Sequence, residues 1–212
     1  MTFSSLYKSN RKFFIGFFLY VLLLVFIIAA FTKTNGFYLV NPYHAKWLDY
    51  FFIPYTYFGD GYFCFGVGLA LFVFNKRYTG MMVMVSYAIS GILSQVLKSY
   101  ILEARPAVFA GTAKYSHFIE NVTLHNFHSF PSGHTTSAFA LAAILSFAAT
   151  NKNYSYLYLL LAMLVGYSRV YLGQHFPDDV LAGALLGVLS SVVCWIFFEK
   201  LFTRMFSKSK PG

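Results

Sequence analysis

Ser168-Arg169-Val170-Tyr171-Leu172-Gly173-Gln174-His175-Phe176-Pro177-Asp178-Asp179 gathers an arginine, a histidine and two carboxylates into one short stretch of a chain that is only 11% charged. Proline suits the first turn of a helix, where its missing N–H is one of the donors left unpaired anyway. A helix opening at Pro177 leaves His175 just ahead of it and puts Asp179 in its first turn. A carboxylate there can accept a hydrogen bond from one imidazole nitrogen, which fixes the tautomer and frees the other nitrogen to attack. The plainer reading of an acid at this place is a helix-start charge favoured by the dipole. Asp178 is read that way, and only the pairing with His175 lifts Asp179 above it.

The surrounding chain sets the medium. Its 212 residues are 58% hydrophobic, too apolar for an ordinary soluble domain and the right size for one membrane domain, residues 1–212. A hydrocarbon core about 30 Å thick needs roughly 20 apolar residues per helix. Apolar runs lie at about Phe13–Phe31, Phe58–Phe74, Thr79–Leu102, His134–Thr150, Tyr154–Leu172 and Pro177–Phe202. They predict an all-α, polytopic membrane protein with six transmembrane helices and both termini on one side. The first run follows the basic segment Met1–Lys12, exceeds a signal-peptide core and lacks a small-residue cleavage site, so it is expected to be retained. Between the first two runs, Tyr43–Phe52 mixes His44, Lys46 and Asp49 with aromatics, a composition suited to the membrane interface. Gly183 and Gly187 lie four residues apart in the last run, a spacing that lets helix backbones approach closely. Cys64 and Cys194 both fall inside apolar runs, which suggests neither a disulfide framework nor a cysteine metal site.

The formal net charge is +9, yet no basic soluble face is visible, so nucleic acid is not the expected partner. The charge is topological instead. Of the 16 Lys and Arg residues, ten fall on the side of the termini and six on the other, which makes the terminal side cytoplasmic. Lys98, Arg105, His134, Arg169 and His175 then all face the extracytoplasmic side.

Lys98 and Arg105 are seven residues apart, about two turns, so both meet one face if the third helix continues that far. Pro106 stops it there. Two cations at one spot repel unless an anion sits between them, although interfacial anchoring is an equally good account of the pair alone. Ser132-Gly133-His134 opens the fourth run behind Pro131. The unpaired N–H groups of a helix start can cradle a phosphate, and glycine lets the backbone come close; a helix cap with a histidine at the interface is the competing account.

Taken together, Lys98-x6-Arg105-Pro106, Pro131-Ser132-Gly133-His134 and Ser168-Arg169-x5-His175-x3-Asp179 resemble the three-part signature of the type 2 phosphatidic acid phosphatase (PAP2) family. The resemblance runs from roughly Phe58, where Gly59-Asp60-Gly61 is also similar, to about Gly187. It implies a helical core related to the vanadium haloperoxidases and a metal-independent lipid phosphatase with no cofactor. His175 would be the nucleophile, giving a phosphohistidine intermediate, with Asp179 orienting it and His134 protonating the leaving oxygen and then activating water. Lys98, Arg105, Arg169, the Ser132 hydroxyl and the Gly133 N–H would bind phosphoryl oxygens. The loop histidines His117, His125 and His128 have no matching carboxylate or cysteine pattern; they are read as loop residues or headgroup contacts and left outside the site.

The expected substrate is a lipid phosphomonoester or pyrophosphate: phosphatidic acid, phosphatidylglycerol phosphate or a polyprenyl pyrophosphate. The Phe-rich helices and the Ala107–Phe130 loop are together expected to shape headgroup choice. A lipid A phosphatase or lipid phosphotransferase is the alternative within the family, and a non-enzymatic lipid-phosphate transporter or scaffold the alternative outside it. No protein partner is required. The compact chain points to a bacterial inner membrane, with the active site facing the periplasm or exterior.

Overall fold

The computed structural model describes residues 1–39, 41–109, 119 and 122–207, with the backbone alone for 109, 200 and 202–207. Lys114, His117 and Glu120 lie outside the described residues, as does much of the 107–130 loop expected, with the Phe-rich helices, to shape headgroup choice. Nine α-helices are found among the described residues: α1 (Phe3–Ser9), α2 (Arg11–Ala30), α3 (Lys33–Tyr38), α4 (Lys46–Tyr55), α5 (Gly61–Val73), α6 (Arg77–Tyr100), α7 (Gly133–Ala148), α8 (Tyr154–Tyr171) and α9 (Pro177–Ser207).

Helix α7 is the centre of the bundle, packed against α6, α8 and α9. It can be central because its residues are small: Thr135, Ser137, Ala138, Ala140, Ala142 and Ala143 are all buried, and between apolar helices close backbone approach replaces the hydrophobic effect as the packing force. On α9, a Cβ at Gly183 would stand 2.6 Å from the Ser132 carbonyl oxygen, and one at Gly187 would stand 2.4 Å from that of Thr136. The two glycines therefore set the α7–α9 distance, as their spacing predicts. Ser191 on α9 ties the layer further, its Oγ 2.8 Å from Ser86 Oγ on α6 and donating to the Ala140 carbonyl at 3.1 Å.

The outer faces are apolar. Phe18, Leu22 and Phe26 on α2, Ile92 and Val96 on α6, and Leu189 and Val193 on α9 are exposed at helical spacing, a surface that belongs in lipid rather than water. The protein is an integral membrane protein. All six predicted runs are occupied by helices, but only Arg11–Ala30, Arg77–Tyr100 and Pro177–Glu199 are long and apolar enough to cross a membrane, or four spans if the pair Lys46–Gly59 and Gly61–Val73, bent by 60°, counts as one. The helices fall where the six runs predicted them, but length and composition support three or four spans, not six. At 16 residues, α7 reaches only about 24 Å.

Two further boundaries differ from the sequence reading. The second run begins three residues later than expected, because Asp60 caps α5 by accepting from the Tyr62 N–H at 2.8 Å. Helix α6 stops at Tyr100, with Ile101 extended, so Lys98 and Arg105 do not share a helix face. The residue before a proline is pushed towards extended backbone, and Arg105 accordingly pairs its N–H with the Asn126 carbonyl at 2.8 Å. The Tyr43–Phe52 segment becomes α4, with Trp47 and Tyr50 exposed and Phe52 and Tyr55 buried, an amphipathic division that suits an interface.

Candidate active site

The twelve-residue stretch quoted first folds as a helix end, a reversal and a helix start. Gly173 takes a positive φ of 68°, a conformation open to glycine. Around it Leu172 N–H bonds the Ser168 carbonyl, and both the Gln174 and His175 N–H groups bond the Arg169 carbonyl at 3.0 and 3.1 Å. The reversal seats His175 beside Arg169 instead of letting the chain run on.

His175 is 2% exposed and Asp179 fully buried. The histidine Nδ1 lies 3.3 Å from Asp179 Oδ2, so the Nδ1–H donates to the carboxylate and Nε2 is the ring nitrogen left for chemistry. The same Oδ2 accepts from Ser129 Oγ at 2.5 Å and from the Phe176 N–H at 2.8 Å. Both donors hold the carboxylate in place. Burial first, then the charges of Arg169, Arg105 and Lys98, push the His175 pKa well below its ordinary value, so the imidazole is neutral at physiological pH.

A cavity of about 730 Å³ opens over this pair, lined by Lys98, Arg105, Gly133, His134, Arg169 and His175 among others. The structure thus brings together residues from four separate parts of the chain. The three cations are held by neutral oxygens. Lys98 Nζ donates to the His128 carbonyl at 3.0 Å. Arg105 donates to the carbonyls of Phe127, Gln174 and His128 at 3.0, 3.3 and 3.3 Å. Arg169 donates to Thr56 Oγ1 at 2.6 Å and to the Gln174 side-chain oxygen. Among the described residues no carboxylate lies within ion-pair distance of any of the three. Arg105 and Arg169 are buried and Lys98 half-buried; buried charges are costly unless paired, so a cavity with these three cations is built for an anion.

Gly133 and His134 begin α7, and among the described residues neither N–H has an acceptor. A Cβ at Gly133 would meet nothing within 4 Å; the space before it is cavity. Ser132 sits apart from the others. It is fully buried, does not line the cavity, and its Oγ accepts from the Thr135 N–H and hydroxyl at 3.4 and 2.8 Å. Its hydroxyl caps the helix, which is the competing account given above.

Four neighbours escaped the sequence reading: Ser129, Thr56 and Gln174, which hold Asp179, Arg169 and Arg105, and Lys33. Gln174 lay within the quoted stretch, between two recognised residues, and its position was the available signal. Two of the loop histidines border the same cavity. His125 and His128 line the cavity, and the backbone explains the second: with φ of 59°, His128 turns its carbonyl to Lys98 and Arg105 while its Nδ1 lies 3.0 Å from the Lys98 carbonyl.

The family model of the PAP2 superfamily matches residues 79–203. The chain belongs to the PAP2 superfamily. Phosphatidylglycerophosphatase B of Bacillus subtilis is 34% identical over 144 residues, 64% of this chain and 66% of that protein. The crystal structure of Aquifex aeolicus LpxE superposes with a TM-score of 0.66 at 32% identity, over 77% of this chain and 94% of that one. That of the first transmembrane PAP2 type phosphatidylglycerolphosphate phosphatase from Bacillus subtilis superposes with a TM-score of 0.62 at 28% identity, over 92% and 98%. The all-helical PAP2 architecture expected from sequence is therefore present. Of the PAP2-like signature, Lys98, Arg105, Gly133, His134, Arg169 and His175 line the cavity, while Pro106, Pro131, Ser132, Ser168 and Asp179 stand behind its wall.

Proposed function

We propose that this protein is a lipid phosphatase that hydrolyses a lipid phosphomonoester or pyrophosphate through a phosphohistidine. The observation that carries the reading is the convergence of three cations, without carboxylate partners among the described residues, on a neutral, carboxylate-oriented histidine. Phosphoryl transfer needs an in-line nucleophile, an acid for the leaving oxygen and positive charge around three equatorial oxygens. The bound phosphate offsets the three cations and so lets His134 carry a proton; His175 Nε2 then attacks phosphorus as the bond to the leaving oxygen breaks, and His134 gives that oxygen its proton. Water then attacks the phosphohistidine, passing a proton to His134, and inorganic phosphate leaves. Lys98, Arg105, Arg169 and the Gly133 N–H hold the phosphoryl oxygens throughout. Phosphatidic acid, phosphatidylglycerol phosphate and polyprenyl pyrophosphate are the substrates in view, with the site on the extracytoplasmic face of a bacterial inner membrane, as the loop charges suggest.

Purified protein in detergent is expected to release phosphate from at least one of these lipids without an added acceptor, to survive chelator and to be inhibited by vanadate. Activity that depends strictly on an acceptor lipid, or that chelation abolishes, would overturn the reading.

The pH profile is expected to be bell-shaped, as an attacking base and a donating acid require. Its acid limb carries a signed prediction. Arg105 is one of the charges that lower the His175 pKa. Removing it makes protonation easier, so neutral His175 is lost at a higher pH on acidification. Arg105→Gln should therefore move the acid limb of kcat/KM upwards. An unmoved or downward-shifted limb, or a flat wild-type profile from about pH 5 to 9, counts against His175 as the nucleophile.

A further inference from the structure

Lys33 is counted above only as a loop charge, and Asp178 as a helix-start acid. The fold gives both another place. Helix α3 packs on the start of α9, where a Cβ at Gly36 would meet the Pro177 ring at 3.7 Å and Phe37 meets Phe176 edge-on at 5.7 Å between centroids. This contact delivers the Lys33 ammonium into a set of three acids. It bonds Glu103, lies 2.9 Å from Asp178 Oδ2 and 4.0 Å from Asp179 Oδ1, and stands 4.7 Å above the Phe176 ring.

The three carboxylates would be untenable by themselves. An oxygen from each lies within 4.8 Å of one from every other, and like charges at such range push one of the set to take up a proton. Asp179 is the fully buried member, so it is the one least able to hold its charge. Its two oxygens are treated differently: Oδ2 accepts from Ser129, Phe176 and His175, whereas Oδ1 has no hydrogen-bond donor. Among the described residues, the cation within ion-pair distance of that oxygen is Lys33, at 4.0 Å. We propose that Lys33 is a positioning residue for the proposed phosphoryl transfer, a counter-charge behind Asp179 that keeps the carboxylate ionised and so keeps His175 in its attacking tautomer, while Glu103 and Asp178 hold Lys33 in place. Burial works against the ammonium, but its bonds to Glu103 and Asp178 and the Asp179 charge prevail and raise the Lys33 pKa; it stays charged wherever the enzyme works. Lys33 does not line the cavity, so it acts through Asp179 and not on substrate.

This inference rests on the roles proposed for His175 and Asp179. The test uses the full chain in detergent, with kcat, KM and pH profile measured on whichever lipid phosphate the wild-type protein turns over. Lys33→Met should lower kcat by about 10- to 100-fold, the usual cost of losing an outer-shell partner, with KM changed less than about twofold. The acid limb should move to higher pH. The groups around Asp179 are Lys33 from α3, Lys98 from α6, Glu103 and Arg105 from the segment after it, His175, and Asp178 on its own helix. Removing the positive Lys33 from that set eases protonation of both Asp179 and His175, which fixes the sign. Lys33→Arg should restore most of the rate, and Lys33→Met combined with Glu103→Gln should recover part of it by removing one uncompensated charge.

Wild-type kcat and pH profile in Lys33→Met, or a loss that neither Arg nor Glu103→Gln relieves, overturns the proposal and points to packing alone. If Lys33→Met does not fold, Glu103→Gln alone decides. With one competing acid gone, the acid limb should move to lower pH, and an unmoved limb overturns the idea. A wild-type protein inactive on every lipid phosphate would instead sink the phosphatase reading itself.

Discussion

His175→Ala is expected to lower phosphate release by about 10⁴- to 10⁶-fold, the range seen when a covalent nucleophile is removed, while leaving the helical bundle intact. The cost is chemical. The ring fills a site already fixed by Gly173 and by the backbone bonds from Gln174 and His175 to Arg169, so truncation removes Nε2 and little else that positions the chain. Asp179→Asn should be less severe, because the amide oxygen can still accept from His175 Nδ1 while Ser129 and Phe176 lose a charged acceptor. A loss of about 10²- to 10⁴-fold is expected, since tautomer control weakens but the nucleophile remains. The pair is separated by a direct readout: wild-type protein mixed with phosphate-labelled lipid and quenched in alkali should carry label on His175, and His175→Ala should carry none. Near-wild-type rates in both variants, or label on another residue, would sink the assignment. A protein that only carried lipid phosphate would tolerate both substitutions and never become labelled.

How much of this was legible beforehand depended on the range of the interaction. Apolar runs located all six long helical segments, because a bundle set in lipid keeps its helices apolar even where, as in α7, they are too short to cross by themselves. Gly183 and Gly187 announced a tight helix contact by spacing alone. Lys98, Arg105, Gly133, His134, Arg169 and His175 were gathered by their resemblance to a known family, and the cavity unites them. What spacing could not give was the way each residue arrives. Arg105 looked like a continuation of α6, yet it reaches the cavity from extended chain anchored to the Asn126–His128 carbonyls, a partnership between segments that local pattern does not encode.

Lys33 and Thr56 show the same limit more sharply. Each sits in a stretch that reads as a mixed connection, and each acquires meaning only when distant residues arrive: Asp178 and Asp179 for one, Arg169 for the other. Ser132 shows the converse. Its place in the signature suggested a substrate ligand, but a buried serine ahead of a helix has a local task, capping, and the Thr135 bonds show it performing that task.

The second large effect should come from a residue with no side chain. Gly187→Ala puts a Cβ 2.4 Å from the Thr136 carbonyl oxygen and 2.9 Å from the Ala140 nitrogen. Both obstacles are backbone of α7, so neither can rotate away, and the helices must separate. Overpacking of this kind costs about 1–3 kcal/mol, and the damage reaches the chemistry. Helix α7 carries Gly133 and His134 and α9 carries Asp179, so their relative shift misplaces the acid against the nucleophile pair, and a displacement near 1 Å can cost about 10²-fold in rate. Gly187→Ala should therefore lower both the thermal midpoint and kcat, although it lies well away from the cavity wall. The control is Gly66→Ala on α5, where a Cβ meets nothing within 4 Å and the better helix former should be neutral or stabilising by up to about 1 kcal/mol. If both alanines behave alike, close α7–α9 packing is not what holds the site together; if only Gly187→Ala fails, the catalytic geometry is set by the backbone contact from which His134 and Asp179 project.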